Sequence, residues 1–398
     1  MRILLVAERY WPEVGAAPSR LANMAEGLHE RGHDVDVLTS LPNYPKGRIF
    51  EGYRGRIAKH ERRNGVDVFR YWIYATVKRS AIPRALNMFS FALTIWLYAF
   101  RFRRIKRYDC IIIQSPTLVV AVSAMVLFKI IYRKKCLLNI SDIWPSTAVD
   151  MGAMREGSRS YRFMAWCERY LYRHADGILG QSNEILQHIA TFEHRGKLFL
   201  YRNLQRYDLS HDYKEKSNVL KLVFSGMLGV AQDVAGIVEH VPFGDLGVEF
   251  HIYGGGKQLE EIQNYCSMHP NSNVFAHGFV TKEEIAERLK EMDASIVPLA
   301  TRIRGAVPSK IYDILPQGLP ILFCGGGEGA DFIASHGAGF VSAPGDYEAL
   351  KDNIIKLRDM PQNEFRQMSS NCILTSREEL NFEKQMTACI DWIRTIIQ

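Results

Sequence analysis

The 398-residue chain is 47% hydrophobic and 23% charged, which suits two globular domains and excludes a disordered or fibrous protein. Its seven cysteines stand singly, without any CxxC pair, which argues against a disulfide framework or a zinc site and for a reducing cytosol. Residues 1–200 hold 31 basic and 17 acidic residues, and the remainder 19 and 26, so we expect the first half to meet an anion such as nucleic acid or a membrane surface.

The chain opens with MRILLVAERYWP, whose apolar run is only about six residues long before Glu8. That run is shorter than the core of a secretory signal, so we interpret it as a buried strand.

Short apolar runs then alternate with amphipathic stretches, as is typical of doubly wound α/β sheets. The runs predict strands at 2–7, 34–40, 110–115, 136–141, 177–182, 198–203, 221–226, 248–256, 273–280, 294–299, 320–327 and 338–343. Helical patterns separate many of them, including 18–31, 118–132, 160–174 and 281–292. The polar stretch 205–219 divides the two series, and we interpret it as a linker. The sequence therefore predicts two similar α/β halves, with ligands at the carboxyl ends of the strands in a cleft between them.

The segment 85–107 departs from this pattern. Residues 85–100, ALNMFSFALTIWLYAF, are almost wholly apolar, and RFRRIKR follows with five basic residues. The apolar part is slightly too short to span a bilayer. Its aromatic body and basic flank favour a helix lying in an anionic membrane interface, and the alternative is a core helix with a solvated basic end.

The loop after the first strand, AERYWPEVGAAPSR, contains Pro12 and Gly15 and leads into a helix that opens at Pro18 and Ser19. A glycine at this position lets backbone N–H groups approach a phosphate, although many strand-to-helix loops carry the same residues.

Three other polar positions are candidates. Asp34 and Asp36 form a DVD triplet that could bind a metal, but they open an apolar strand and read better as strand-edge residues. Asp142 follows a predicted strand in NISDIWPS, where it could contact a sugar hydroxyl, transfer a proton or cap a loop. The pair His277–Gly278 ends a strand in the second half.

The stretch RGAVPSKIYDILPQGLP, from Arg304 to Pro320, predicts a short helix that Pro308 begins and Gly318 ends. Lys310 and Asp313 lie three residues apart and share a face of that helix. The helix N-terminus and Lys310 could bind a phosphate, and Asp313 could accept hydrogen bonds from a ribose diol. The alternative is a capped surface helix with a local Lys–Asp pair.

Six stretches in chain order resemble the family 4 glycosyltransferases of the two-domain GT-B fold, and more narrowly their WbuB-like branch, which makes bacterial surface polysaccharides such as O-antigen and capsule. They are RYWPEVGAAPSRLANMAEGLHERGHDVDVLTSLPNYPKGRIFEGYRG, SDIWPSTAVDMG, ERYLYRHADGILGQS, FSGMLGVAQD, HIYGGGKQLEEI and VPSKIYDILPQGLPIL. The resemblance implies two Rossmann-like doubly wound parallel-sheet domains facing a central cleft. It places an acceptor domain at 1–204, a nucleotide-sugar domain at 205–375, and a C-terminal helix at 376–398 that packs back toward the first domain.

The resemblance also implies a retaining enzyme that needs no metal and no cofactor. The acidic EX7E motif of the family falls on Gly305 and Asp313, so the first acid is missing and Asp313 is the ribose ligand. The phosphate-binding Arg and Lys of the family fall on Met227 and Gln232, and we expect Lys310 with Arg302 or Arg304 to replace them. Ser141 stands where the family often has a histidine. The expected catalytic residues are Glu13, Asp142 and Lys310, and the expected nucleotide-sugar ligands are Gly15, Gly226, Gln232, Gly254, Gly278, Arg302, Arg304, Ser309, Lys310 and Asp313.

The expected donor is a UDP-sugar, and the missing acid suggests a 6-deoxy sugar such as N-acetylfucosamine. The expected acceptor is a polyprenyl-diphosphate-linked glycan at the cytoplasmic face of the membrane, reached through residues 85–107, with no role for nucleic acid. Two alternative hypotheses are compatible with the sequence. The chain could be a sugar-nucleotide 2-epimerase of the same fold, or a non-catalytic scaffold for polysaccharide assembly.

Overall fold

The computed structural model describes residues 1–78, 80–207 and 212–398. They form two compact units: unit 1 comprises Met1–Gln205 with Phe382–Gln398, and unit 2 comprises Arg206–Asn381. The sequence analysis places the two boundaries between domains at 204/205 and 375/376. The second position is wrong, because a continuous helix, Gln362–Glu378, runs through it.

Unit 1 is built on an eight-stranded sheet in the order β3-β4-β2-β1-β5-β6-β7-β8. Its elements up to residue 205 are β1 (Arg2–Val6), α1 (Ala16–Glu30), β2 (Asp34–Ser40), β3 (Ala58–Arg63), β4 (Val66–Tyr71), α2 (Ala81–Thr94), α3 (Phe102–Ile105), β5 (Cys110–Ser115), α4 (Leu118–Met125), β6 (Lys135–Ile140), α5 (Ser146–Asp150), α6 (Arg159–His174), β7 (Gly177–Gly180), α7 (Asn183–Ala190) and β8 (Lys197–Leu200). The strands pair in parallel, except that β3 runs antiparallel to β4.

Unit 2 is built on a six-stranded parallel sheet in the order β11-β10-β9-β12-β13-β14. Its elements are β9 (Lys221–Met227), α8 (Val234–His240), β10 (Glu249–Gly255), α9 (Leu259–Met268), β11 (Val274–Gly278), α10 (Lys282–Lys290), β12 (Ala294–Pro298), α11 (Ser309–Ile314), β13 (Ile321–Cys324), α12 (Glu328–Ser335), β14 (Gly339–Ser342), α13 (Tyr347–Asp359) and α14 (Gln362–Glu378). The structure thus confirms two Rossmann-like doubly wound sheets. In each, the strand order reverses beside the first strand, at β1/β5 and at β9/β12, which is where such sheets bind ligands.

All twelve predicted strands are present, and β3 and β4 are additional. The strand β3, AKHERR, has no buried residue and lies at the sheet edge, where a polar composition is tolerated. Because such a strand carries no apolar run, the hydrophobic pattern could not reveal it.

The last helix, α15 (Phe382–Ile397), completes unit 1. It packs against α1 and β8 and buries an apolar stripe that includes Met386 and Ile393. Gly27 of α1 admits this helix closely, since a β-carbon there would lie 3.0 Å from Phe382 Cζ.

The predicted linker 205–219 includes residues 208–211, which lie outside the described residues. The part from 212 onward is tied to unit 2 by two lysines. Lys214 Nζ donates to the carbonyls of Leu289, Lys290 and Met292, and Lys216 Nζ donates to those of Leu357, Arg358 and Met360. Each ammonium therefore caps the C-terminus of a helix, α10 or α13, where carbonyls lack helical partners and cations are favoured.

Strands β9 and β10 come into close contact through two glycines at their carboxyl ends. Gly254 of β10 pairs with Gly226 of β9 in the parallel register. Gly254 has φ +155°, and a β-carbon on it would overlap the carbonyl oxygen of Gly226. The backbones can approach this closely only because Gly254 lacks a side chain.

We expect Gly254→Ala to lower the free energy of unfolding of unit 2 by about 3 kcal/mol, because the added methyl group must push β10 away from β9. Gly255→Ala is the matched control, since a β-carbon there would meet no atom within 4 Å. Urea unfolding of both variants measures the difference. Equal stability of the two variants would contradict this account of the contact.

Candidate active site

A buried polar network lies at the carboxyl ends of the central strands of unit 1. Arg20 of α1 is buried and donates to Ser141 Oγ (2.9 Å), to Gln181 Oε1 (3.2 Å) and to Asn139 Oδ1. Gln114 at the end of β5 joins the network through Ser141 Oγ (2.8 Å). The network therefore fixes the loops that follow β6 and β7.

Asp142 follows Ser141 directly and lies beside this network. Its side chain is partly buried, and within the described residues no group hydrogen-bonds its carboxylate. Burial raises the pKa of Asp142, and the nearby Arg20 cation lowers it by a smaller amount. An acid held in this way, without a protein partner, is available to a ligand hydroxyl.

Glu13 has a different environment. It is buried, and its carboxylate accepts the N–H groups of Asn43 (2.9 Å), Tyr44 (2.8 Å) and Tyr10 (3.3 Å). Burial raises the pKa of Glu13, while these N–H groups oppose the shift. Its contacts brace the loop after β2, and none of them supports the predicted catalytic role.

Gly15, two residues later, precedes the first turn of α1 with φ +150°, a backbone conformation that favours glycine. It therefore shapes the entry to the helix that carries Arg20.

In unit 2, Lys310 lies over the end of β9. A β-carbon on Gly226 would be 3.3 Å from Lys310 Cε, so the lysine stem covers the glycine. Lys310 belongs to the first turn of α11, where Ser309 is the first helical residue and Pro308 stands one position before the helix. The prediction that Pro308 is itself the first helical residue is wrong by one position.

Asp313 lies one turn further along α11. Its carboxylate accepts a hydrogen bond from Tyr207 Oη (2.6 Å) and is 3.4 Å from Lys310 Nζ. Burial and the negative charge of Asp313 both raise the pKa of Tyr207, so the phenol stays protonated and donates. Sequence reasoning missed Tyr207, because it lies at the start of the stretch that reads as a linker.

The glycines predicted to bind the nucleotide sugar stand on three adjacent strands. Gly226 ends β9, Gly254 pairs with it on β10, and Gly278 ends β11 in register with Tyr253 of β10. Gly278 has φ +77°. The structure therefore brings these glycines to one edge of the sheet, together with Lys310.

The other predicted ligands lie on two loops that contact each other. Ala300 N–H, in the loop after β12, donates to Ala231 O (2.8 Å), next to Gln232. The loop after β12 continues through Arg302, whose Cδ would lie 3.5 Å from a β-carbon on Gly326. The structure thus places Arg302 near the carboxyl end of β13.

Arg304 lies in the same loop, directly before Gly305. Gly305 has φ +76°, a left-handed conformation in which a glutamate would be strained. The missing acid at this position therefore coincides with a left-handed backbone turn, and not only with a shorter side chain.

The two aspartates of the DVD triplet are engaged at the edge of β2. Asp36 accepts two hydrogen bonds from Arg104, each of 2.7 Å, and a third from Tyr108. Asp34 pairs with Arg2 at 3.1 Å. In the described parts of the chain, no group of three or more His, Cys, Asp or Glu side chains could hold a metal ion.

Residues 15–196 match the glycosyl transferase 4-like domain, and residues 220–359 match the glycosyl transferases group 1 domain. The chain therefore joins an N-terminal domain of the first kind to a C-terminal domain of the second. Together with the two doubly wound sheets, these matches make the chain a glycosyltransferase of the GT-B type.

The chain is similar to the putative colanic acid biosynthesis glycosyl transferase WcaI of Escherichia coli K12. The two are 23% identical over 335 residues, which cover 80% of this chain and 82% of WcaI. Among solved structures, Anabaena Alr3699/HepE in complex with UDP has a TM-score of 0.70 at 14% identity, and covers 99% of this chain and 100% of its own. WaaG, a glycosyltransferase involved in lipopolysaccharide biosynthesis, has a TM-score of 0.64 at 14% identity, with 98% of each chain covered.

We expect Asp142→Asn to raise the free energy of unfolding at pH 7. The folded state disfavours the charged carboxylate, because its pKa is raised, and asparagine carries no charge. The gain must shrink as the pH falls below the raised pKa of the folded state. It must disappear below 3.8, the ordinary value of an aspartate, because the wild-type carboxyl is then protonated in both states.

Chemical unfolding at a series of pH values measures this effect, and Glu51→Gln, at an exposed position of the same unit, is the control. A loss of stability in Asp142→Asn at pH 7 would show instead that the charge is needed to balance Arg20.

Proposed function

We propose that this glycosyltransferase moves a sugar from a UDP-sugar, with retention and without a metal, to a polyprenyl-diphosphate-linked glycan during assembly of a bacterial surface polysaccharide. The names of WcaI and WaaG support the biosynthetic setting, and the HepE complex supports UDP as the nucleotide.

The observation that carries the proposal is the position of Lys310 above Gly226, beside Asp313. A departing nucleoside diphosphate gains negative charge, and a preorganised cation lowers the barrier to its departure. The side chain of Lys310 is 40% exposed, so its ammonium can reach a ligand at the carboxyl edge of β9. Asp313, held by Tyr207 and next to Lys310 on the same face of α11, would accept the ribose hydroxyls.

The glycines give the ligand room, since the edge formed by Gly226, Gly254 and Gly278 has no side chains to exclude a diphosphate. Arg302 or Arg304 would supply further positive charge from the loop after β12. Gln232 and Ser309 would contribute neutral hydrogen-bond donors.

On the acceptor side, we assign Asp142 to the acceptor hydroxyl. Burial raises the pKa of Asp142 toward neutral pH, and this favours exchange of a proton between the carboxyl group and a sugar hydroxyl. The loop braced by Glu13 and the turn at Gly15 would shape the acceptor site in unit 1.

For the donor sugar, we propose a 6-deoxy-N-acetylaminosugar such as N-acetylfucosamine. The proposal rests on Gly305, where the left-handed turn leaves no carboxylate to bind a sugar hydroxyl.

The membrane part of the proposal rests on the helical segment Ile82–Ile105, in which α2 continues through a 3₁₀ stretch into α3. Of the described residues, only this helix is long and apolar enough to cross a membrane, and 22% of its most apolar window is buried. Leu93 and Phe100 are exposed. We propose that this surface lies in the membrane interface at the cytoplasmic face, close to the lipid-linked acceptor.

We expect Lys310→Ala to lower kcat/KM for the UDP-sugar by about a hundredfold, because the diphosphate loses a charge-assisted contact that strengthens as the bond breaks. The measurement is transfer from a panel of UDP-, GDP- and dTDP-sugars to a polyprenyl-diphosphate sugar. Lys356→Ala, at an exposed position on α13, is the control. Wild-type kinetics in Lys310→Ala would refute the assignment of this lysine.

We expect Phe100→Glu to reduce co-sedimentation with vesicles that contain phosphatidylglycerol, since a carboxylate there would be driven into the interface. Phe279→Glu is a matched control, because Phe100 and Phe279 are both 82% exposed and Phe279 belongs to unit 2. Equal losses for both variants would count against a specific role for the segment 82–105.

A further inference from the structure

A basic cavity of about 380 Å³ opens in unit 1, away from the residues discussed above. Its lining includes five cationic side chains, Lys129, Lys135, Arg173, Arg195 and Lys197, and one carboxylate, Asp176. Its volume is within the range of small-ligand sites.

The cavity lies at the opposite end of the unit 1 sheet from Asp142. Lys135 is the first residue of β6, Lys197 is the first residue of β8, and Asp176 immediately precedes β7. Ser141 and Asp142 follow the last residue of β6. A six-residue strand is about 20 Å long, so a ligand bound at one end cannot be held by groups at the other.

Part of the positive charge is already balanced. Asp176 accepts two hydrogen bonds from Lys129, of 2.6 and 2.7 Å, and Arg173 pairs with Glu193 at 2.6 Å. The ends of α6 and α15 also lie here, and each adds roughly half a negative charge.

Three of the five cationic side chains of the lining remain without a balancing carboxylate in the part of the chain that the structure describes. Among the described residues, Lys197 Nζ hydrogen-bonds only to the neutral Thr395, through its carbonyl (3.4 Å) and its hydroxyl (3.2 Å). Lys135 and Arg195 have no carboxylate partner within the described residues. The positive charge of these three exceeds the partial charge of the two helix ends, so the cavity has an uncompensated positive potential.

We propose that this cavity is a second anion site, which binds a phosphate-bearing ligand independently of sugar transfer. Lysine and arginine around one concave surface are the side chains that bind phosphate oxygens. The phosphate can belong to a lipid headgroup or to a soluble molecule. The headgroup fits a further feature, because Ile130 and Ile131 follow Lys129 directly and are 50% and 54% exposed.

The test uses the full chain and two probes. Calorimetric titration with inorganic pyrophosphate measures a soluble phosphate, and co-sedimentation with phosphatidylcholine vesicles, with and without phosphatidylglycerol, measures a headgroup. The cavity variant is Lys135→Gln/Arg195→Gln. The matched control is Arg56→Gln/Arg62→Gln, which removes the same charge from exposed positions elsewhere in unit 1. Thermal unfolding checks that both double variants are folded.

We expect the cavity variant to bind pyrophosphate at least about tenfold more weakly than wild type, while the control is unchanged. Lys310→Ala must retain the pyrophosphate signal, which separates this site from the donor site. A loss of phosphatidylglycerol binding confined to the cavity variant would identify a lipid headgroup, and a loss confined to pyrophosphate would identify a soluble ligand.

The proposal is overturned if the cavity variant matches the control with both probes. It is also overturned if Lys310→Ala abolishes pyrophosphate binding and the cavity variant does not. Neither result depends on transferase activity, so failure of this proposal is distinct from failure of the proposed reaction.

Discussion

Parallel strands can pair only if the chain returns to the same edge of the sheet before each new strand, and both units depend on this constraint. The carboxyl ends of the parallel strands then meet at one edge of the sheet, and their amino ends at the other. In unit 1 the first edge carries Arg20, Ser141 and Asp142, and the second carries the basic cavity. In unit 2 the first edge carries the glycines and Lys310. The chemistry of the molecule is thus divided by strand direction before any side chain is considered.

Parallel pairing also explains how much of the fold could be predicted from the sequence. Nine of the twelve predicted strands are central parallel strands, which are covered on both faces and so form continuous apolar runs. The edge strand β3 has no buried residue and leaves no such signal. The carboxyl-edge positions of Gly226, Asp142 and Lys310 follow from where the runs end, and these positions could be predicted.

Two residues of the site could not be found in this way. Arg20 lies within a helix, where an arginine is ordinarily solvated, and Tyr207 lies in a polar stretch without a period. A signal for Arg20 does exist, since it stands four residues before Met24 on the buried stripe of α1. A charged residue at a position on the buried face of a helix indicates that it has a buried polar partner. For Tyr207, only the folded chain brings the phenol to Asp313, because the two are separated by more than a hundred residues.

The absence of an acidic residue at position 305 involves the backbone as well as the side chain. At Gly305 a glutamate is not simply absent, since the φ of +76° belongs to a turn that a side chain would strain. Restoring the acid alone would therefore disturb the loop that carries Arg302 and Arg304. The backbone path of that loop therefore limits which side chains position 305 can carry.

The placement of α15 in unit 1 has a consequence for how the protein is made. All of unit 2 is synthesised before Phe382–Ile397, so α1 and β8 of unit 1 stay uncovered by α15 until the synthesis of unit 2 is complete. During that interval, the apolar surface that later packs Met386 and Ile393 faces water. Unit 2 can thus complete its fold before unit 1 does. In a nascent chain that stalls late in translation, unit 1 would be the part with exposed apolar surface for a chaperone to bind.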